Sequence, residues 1–104
     1  MLKYGKRSHN GPLSVIFLSD GSKIPCLAFS ITRKVGTAVV RNKIRRQLRE
    51  EFRRIYRSNP EIIPPGSYLI RINPEPWKHK NPQKILEKAL KNLENPNDQQ
   101  NTLT

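Results

Sequence analysis

The chain has 104 residues, 35% of them hydrophobic, and 20 Lys and Arg against 8 Asp and Glu give it a formal net charge of +12. That length sustains one small core and excludes a second, and so large a positive excess is best relieved by a polyanion, nucleic acid ahead of an anionic membrane surface. A lone Cys26 excludes an intramolecular disulfide and a cysteine-cluster zinc site, and no segment approaches the ~20 apolar residues of a membrane span or the apolar stretch of a signal peptide, so the expected location is the cytoplasm.

Pro12 to Ser19 holds Leu13, Ser14, Val15, Ile16, Phe17 and Leu18, a short β-branched and aromatic run that reads as a strand. Asp20-Gly21-Ser22 signals a turn. Ile24 to Thr32 follows as a second strand, with Leu27, Phe29 and Ile31 on one face and Cys26, Ala28 and Ser30 on the other. The two strands are expected to pair as an antiparallel hairpin, with Phe17 and Phe29 in the core and Cys26 a buried, inert thiol.

From Thr37 the apolar period changes from two to 3.6. Val40, Ile44, Leu48, Phe52 and Ile55 fall on one stripe of a helix, with Thr37 as N-cap and Asn59-Pro60 as its stop. Asn42, Arg45, Arg46, Arg49, Arg53 and Arg57 lie on the side away from that stripe, so the helix presents cations along ~30 Å. Residues 33–57 hold ten bases, eight of them arginine, against only Glu50 and Glu51. The planar guanidinium suits bidentate phosphate contact and stacking on bases, which favours RNA or DNA over a merely solubilising surface.

Pro64-Pro65-Gly66 is a stiff connector, and Ser67 to Ile72 reads as a third strand in which Arg71 interrupts the apolar run. Trp77, between Pro76 and Lys78, is expected to pack over the domain edge, with base stacking as the alternative. Asn81-Pro82 opens a second helix. Its Ile85, Leu86, Ala89, Leu90 and Leu93 should dock on the sheet while Lys84, Lys88 and Lys91 stay solvated. Residues 1–95 thus form one domain, and 96–104 a polar tail expected to be disordered.

The titratable residues form no catalytic constellation. His9, Cys26 and His79 stand far apart, and Glu50 and Glu51, adjacent on a helix, point about 100° apart and cannot by themselves clamp the hard cations of a metal nuclease.

The run from Ala28-Phe29-Ser30-Ile31-Thr32-Arg33-Lys34 through Val35-Gly36-Thr37-Ala38-Val39-Val40 to Arg41-Asn42-Lys43-Ile44-Arg45-Arg46-Gln47-Leu48-Arg49 resembles the signature of the bacterial ribonuclease P protein subunit. In that family a basic pair ends a strand, a Val-Gly-x-Ala-Val turn follows, and the helix opens Arg-Asn-Arg-x-Lys-Arg-x-x-Arg. Lys43 and Arg45 stand here as charge-preserving exchanges. The similarity extends over roughly residues 4 to 93. Family members usually begin with a basic, Phe-containing helix that lines a cleft for the 5′ leader of precursor tRNA, whereas this sequence begins where that helix should be ending. Either the true start lies upstream, which is the favoured expectation, or the helix is lacking and the leader cleft is weaker.

The resemblance implies an α+β fold, a small two-layer sandwich with a mixed sheet, like the second domain of ribosomal protein S5. Strand 24–32, helix 38–57 and strand 67–72 would form an unusual left-handed βαβ crossover. It implies an accessory protein subunit of an endoribonuclease whose RNA subunit carries the chemistry and most of the Mg²⁺. The protein would bind that RNA, one protein per RNA, together with precursor tRNA, and assist removal of the 5′ leader. Arg41, Asn42, Lys43, Arg45, Arg46 and Arg49 match the motif and are implied RNA contacts. Arg33 and Lys34, aimed at a helix N-terminus, and Arg53, further along the helix, join them as candidates. For Asn42 a local capping role is the alternative. The sheet face with Ser14, Ile16, Cys26, Ala28 and Ser30 is the candidate leader cleft, with Arg71 reaching it from the neighbouring strand.

A structural RNA binder, such as a ribosome-associated protein, is the strongest rival and is set apart by the Arg41-Asn42-Lys43 context. A DNA-binding domain would need a helix-turn-helix partner or a dimerising heptad region. The apolar stripe of the helix is too narrow, and too poor in interfacial aromatics, for a membrane surface.

Overall fold

Gly11, with φ at +60°, followed by Pro12, makes the two-residue turn that folds β1 (Tyr4–Asn10) back on β2 (Leu13–Ser19). Glycine with positive φ at the first central position is the hairpin choice whose twist matches its flanking strands. The computed structural model describes residues 4–94, so the tail expected at 96–104 lies outside it. β1 is a strand that the sequence does not signal, because Gly5-Lys6-Arg7-Ser8-His9 carries none of the β-branched residues that mark one.

The hairpin expected between Pro12–Ser19 and Ile24–Thr32 does not form. The sheet order is β1-β2-β4-β3, so β4 (Gly66–Ile72) lies between β2 and β3 (Pro25–Ser30), antiparallel to the first and parallel to the second. Side-chain burial accounts for this order. Tyr68, Ile70 and Ile72 of β4 are all buried, whereas Leu27 and Phe29 of β3 reach only half-burial, so the strand with more to bury takes the centre. The Asp20 turn is also latched to β4. One carboxylate oxygen accepts from the Ser22 N–H at 3.1 Å and the Ser22 hydroxyl at 2.7 Å, and the other accepts from the Ser67 hydroxyl. These bonds hold the Asp20 carboxyl down at about 2, the Ser22 hydroxyl contributing most. Cys26 is exposed, against the expectation of a buried thiol, because its parity is opposite to that of Leu27 and Phe29.

α1 (Ala38–Ser58) starts where the Thr37 hydroxyl accepts the Val40 N–H at 3.3 Å and ends at Asn59. Ile44, Leu48, Phe52 and Ile55 are buried as the stripe required, while Val40 is half-buried. α2 (Pro82–Glu94) buries Leu86, Ala89, Leu90 and Leu93 in the same core. Asn10 ties β1 to it by donating to the Ile85 carbonyl at 3.0 Å. Phe17 and Phe52 meet Tyr68 with ring centres 4.9 and 5.3 Å apart, and the Tyr68 hydroxyl donates to the Pro64 carbonyl at 2.6 Å. Burial pushes that phenol above its ordinary range. The buried apolar residues of both helices and of β2 and β4 belong to one core cluster between the helices and a single face of the sheet, so the fold is a two-layer α+β sandwich.

The hand of the β3–α1–β4 connection follows from the hydrogen bonds. The Pro12 carbonyl accepts from the Asn73 N–H at 2.8 Å, so it points toward β4 and the N–H and C=O of Leu13 point toward β1. For an L-residue whose side chain faces the viewer with the chain running upward, those groups point right. Seen from the helices, with β3 and β4 running upward, β4 therefore lies to the left of β3. The crossover is left-handed, against the prevailing right-handed rule.

Candidate nucleic-acid interface

A three-residue turn of 3₁₀ helix, Arg33–Val35, carries the chain from β3 toward α1, with Val35 buried beneath it and Arg33 and Lys34 exposed. Gly36 then lets α1 begin close by, since a Cβ there would come within 2.9 Å of Val40 Cγ1. Arg41 turns back on this corner, its Nε donating to the Gly36 carbonyl at 3.2 Å. Asn42 caps no helix end, since the N-cap of α1 is Thr37. Its Oδ1 accepts from Arg45 Nη1 at 2.8 Å, so a neutral amide orients a cation without adding charge. Lys43, Arg46, Arg49 and Arg53 are exposed. The Arg49 guanidinium stands 5.6 Å from the centre of the Phe29 ring, a cation–π distance, over a ring that is less buried than Phe17 because β3 is the edge strand.

The basic face is not uniform. Glu51 is buried, and Arg54 grips it with Nε 2.9 Å from Oε1 and Nη2 2.6 Å from Oε2. Glu87 of α2 lies 3.9 Å from the same guanidinium and 3.5 Å from Lys91. The hydrogen bonds that Arg54 donates to Glu51 raise its pKa above the ordinary value, so the fold itself pairs this arginine. The sequence does not single out Glu51, whose place beside the apolar stripe is the available signal.

Both helices cover one face of the sheet, and among the described residues no element covers the other. Ser14 and Ser30 flank Arg71 in one row across it, and Ile16 and Ala28 flank Leu69 in the next. The structure thus gathers Ser14, Ile16, Ala28, Ser30 and Arg71 into two adjacent rows, with Cys26 one row further. His9 extends the first row, Nδ1 lying 2.9 Å from Ser14 Oγ. Ser30 stands at the C-terminal end of β3, just before the Arg33–Val35 turn that leads into α1, and Arg71 pairs beside it near the C-terminal end of β4. Sheet face and basic helix therefore meet at one corner of the molecule.

Trp77 packs against the core, its backbone N–H donating to the Val35 carbonyl at 3.0 Å and its ring 4.9 Å from that of His79. Among the described residues no three His, Cys, Asp or Glu side chains converge as metal ligands would, and no helix is long and apolar enough to cross a membrane.

The Ribonuclease P family profile matches residues 1–95. A ribonuclease P protein component of Clostridioides difficile is 30% identical over 94 residues, covering 88% of this chain and 76% of that protein. The ribonuclease P protein structure from Thermotoga maritima superposes with a TM-score of 0.61 at 28% identity, over 88% of this chain and 83% of that one. That from Staphylococcus aureus, at 24% identity, shares the fold with a TM-score of 0.70 over 84% and 79%. Several further curated relatives match over a shorter stretch, in which the chain spans only 41–43% of their length. With the matching profile spanning the whole described fold, the chain belongs to the ribonuclease P protein family.

Proposed function

We propose that the chain is the protein subunit of a cytoplasmic ribonuclease P, binding the catalytic RNA along α1 and the 5′ leader of precursor tRNA across the open sheet face. The observation that carries the reading is the shared corner, where a helix bearing Arg41, Asn42, Lys43, Arg45, Arg46 and Arg49 meets a sheet face edged by Arg71. A duplex-like RNA lying along the helix would be held mainly through phosphates, while a single strand crossing the sheet would meet small polar groups, an apolar row and one guanidinium. The protein supplies binding energy and position. On this reading the Mg²⁺ ions and the hydrolytic step belong to the RNA, as the family resemblance implies, and the buried Glu51 serves to hold Arg54.

Reconstitution with the cognate RNA at low Mg²⁺ tests this directly. The protein should stimulate 5′ cleavage of precursor tRNA, and a leaderless substrate should bind the holoenzyme less tightly. Equal processing with and without protein would leave a structural RNA binder as the better account.

A further inference from the structure

On the flank of α1 that faces β3 there is a pocket of about 390 Å³ lined by Ile24, Pro25, Leu27, Arg49, Phe52, Arg53 and Tyr56. It lies on the helical side of the sheet, away from the open face. Its volume sits at the small end of the roughly 300–1,000 Å³ of ligand pockets. Two of its walls expose apolar surface to solvent, Ile24 at 64% and Tyr56 at 40%. Isolated exposed side chains need no explanation, but these two face one cavity and two arginines stand at its rim. Arg49 is already held in place by its contact with Phe29.

The third wall is backbone. β3 is the edge strand, and its neighbour β4 lies to its left when seen from the helices. By the same geometry that fixes the crossover hand, the residues whose side chains face the core, Leu27 and Phe29, turn their N–H and C=O groups outward to the unpaired edge. The pocket therefore combines a phenol ring and aliphatic surface for a flat apolar ligand, hydrogen-bonding groups along one edge, and two cations for an attached anion.

We infer that this pocket receives a single unstacked nucleotide of the RNA bound along α1, with its base against Tyr56 and Ile24, its edge toward the Leu27 backbone, and its phosphate between Arg49 and Arg53. The inference rests on the RNA-binding reading of α1 and adds to it a site that reads a base rather than the backbone. An aromatic platform beside arginines is how proteins take up bases splayed from a folded RNA. An acidic peptide added to the β3 edge would use the same cations, but it would leave the Tyr56 ring without a stacking partner.

The test compares Tyr56→Ala, Tyr56→Phe and Arg53→Ala for binding to the cognate ribonuclease P RNA across a salt titration, each variant first checked for a cooperative thermal melt. Without its stacking platform, Tyr56→Ala should bind on the order of tenfold more weakly at every salt concentration, about 1.4 kcal/mol. Tyr56→Phe should restore it. Arg53→Ala should instead lower the salt slope by about one unit. Ultraviolet cross-linking of the wild-type complex should attach a single nucleotide at or beside Tyr56. Binding by Tyr56→Ala within twofold of wild type, or cross-links confined to the open sheet face, would overturn the pocket while leaving the RNA-binding function intact. Failure of the wild-type protein to bind the RNA would remove both.

Discussion

Replacing Arg45 and Arg46 together by alanine removes two cations from the outward flank of α1, where only the neutral Asn42 amide touches either in the described structure. Each phosphate that is no longer neutralised lowers the slope of log K against log salt by about 0.7–0.9, so the double variant should lose about 1.4–1.8. Between ~50 and ~200 mM salt that difference amounts to roughly 7- to 12-fold, so the defect should be large in dilute buffer and shrink by that factor at the higher salt. Filter binding or fluorescence anisotropy with the cognate RNA reads it. The control is Lys84→Ala with Lys88→Ala, which removes the same charge from α2. An equal drop in slope for that pair would refute the reasoning, because overall charge rather than the α1 flank would then govern binding.

Two further outcomes concern the frame that holds this surface. Gly66 has φ at +150°, and a Cβ there would run into the Phe17 ring and lie 2.7 Å from the Leu18 carbonyl oxygen, so Gly66→Ala should cost ~1–3 kcal/mol from overpacking and strain. A fall in melting temperature of roughly 4–8 °C per kcal/mol would register it, and an unchanged melt would contradict the close approach. The Asp20 carboxyl is held at about 2 in the folded protein against an ordinary 3.8. A lowered folded-state pKa stabilises above the unfolded value and loses that contribution as pH falls through the folded one. Asp20→Asn should therefore flatten the stability profile between about pH 4 and pH 2, and identical acid limbs would show that the latch contributes nothing.

Local order is legible in the sequence, and long-range order is not. The α1 stripe, its Thr37 cap and its stop at Asn59 can be read because a helix closes its own hydrogen bonds and shows its buried face every third or fourth residue. The expected pairing of β2 with β3 fails because adjacency in a sheet is settled by the burial each strand can achieve, and β4, distant in sequence, has more to bury than Leu27 and Phe29 provide. The rows that join Ser14, Arg71 and Ser30 depend on register and can be anticipated only as a shared parity. Counting charges leaves Arg54 among the free cations. Its chief partner, Glu51, lies three residues away on the same helix, and what the sequence hides is that Glu51 is buried and that α2 brings Glu87 within 3.9 Å of the same guanidinium. Tyr56, away from both the apolar stripe and the arginine motif, carries no local signal.

The position of β4 has a consequence for how the chain comes into being. The middle of the sheet is encoded after α1, so until Ile72 has been synthesised neither the β1–β2 hairpin nor β3 has the strand that joins them. Closing a parallel pair across a 21-residue helix is a non-local step of the kind that slows folding. During that interval the arginine-rich helix has no sheet to bury its apolar stripe.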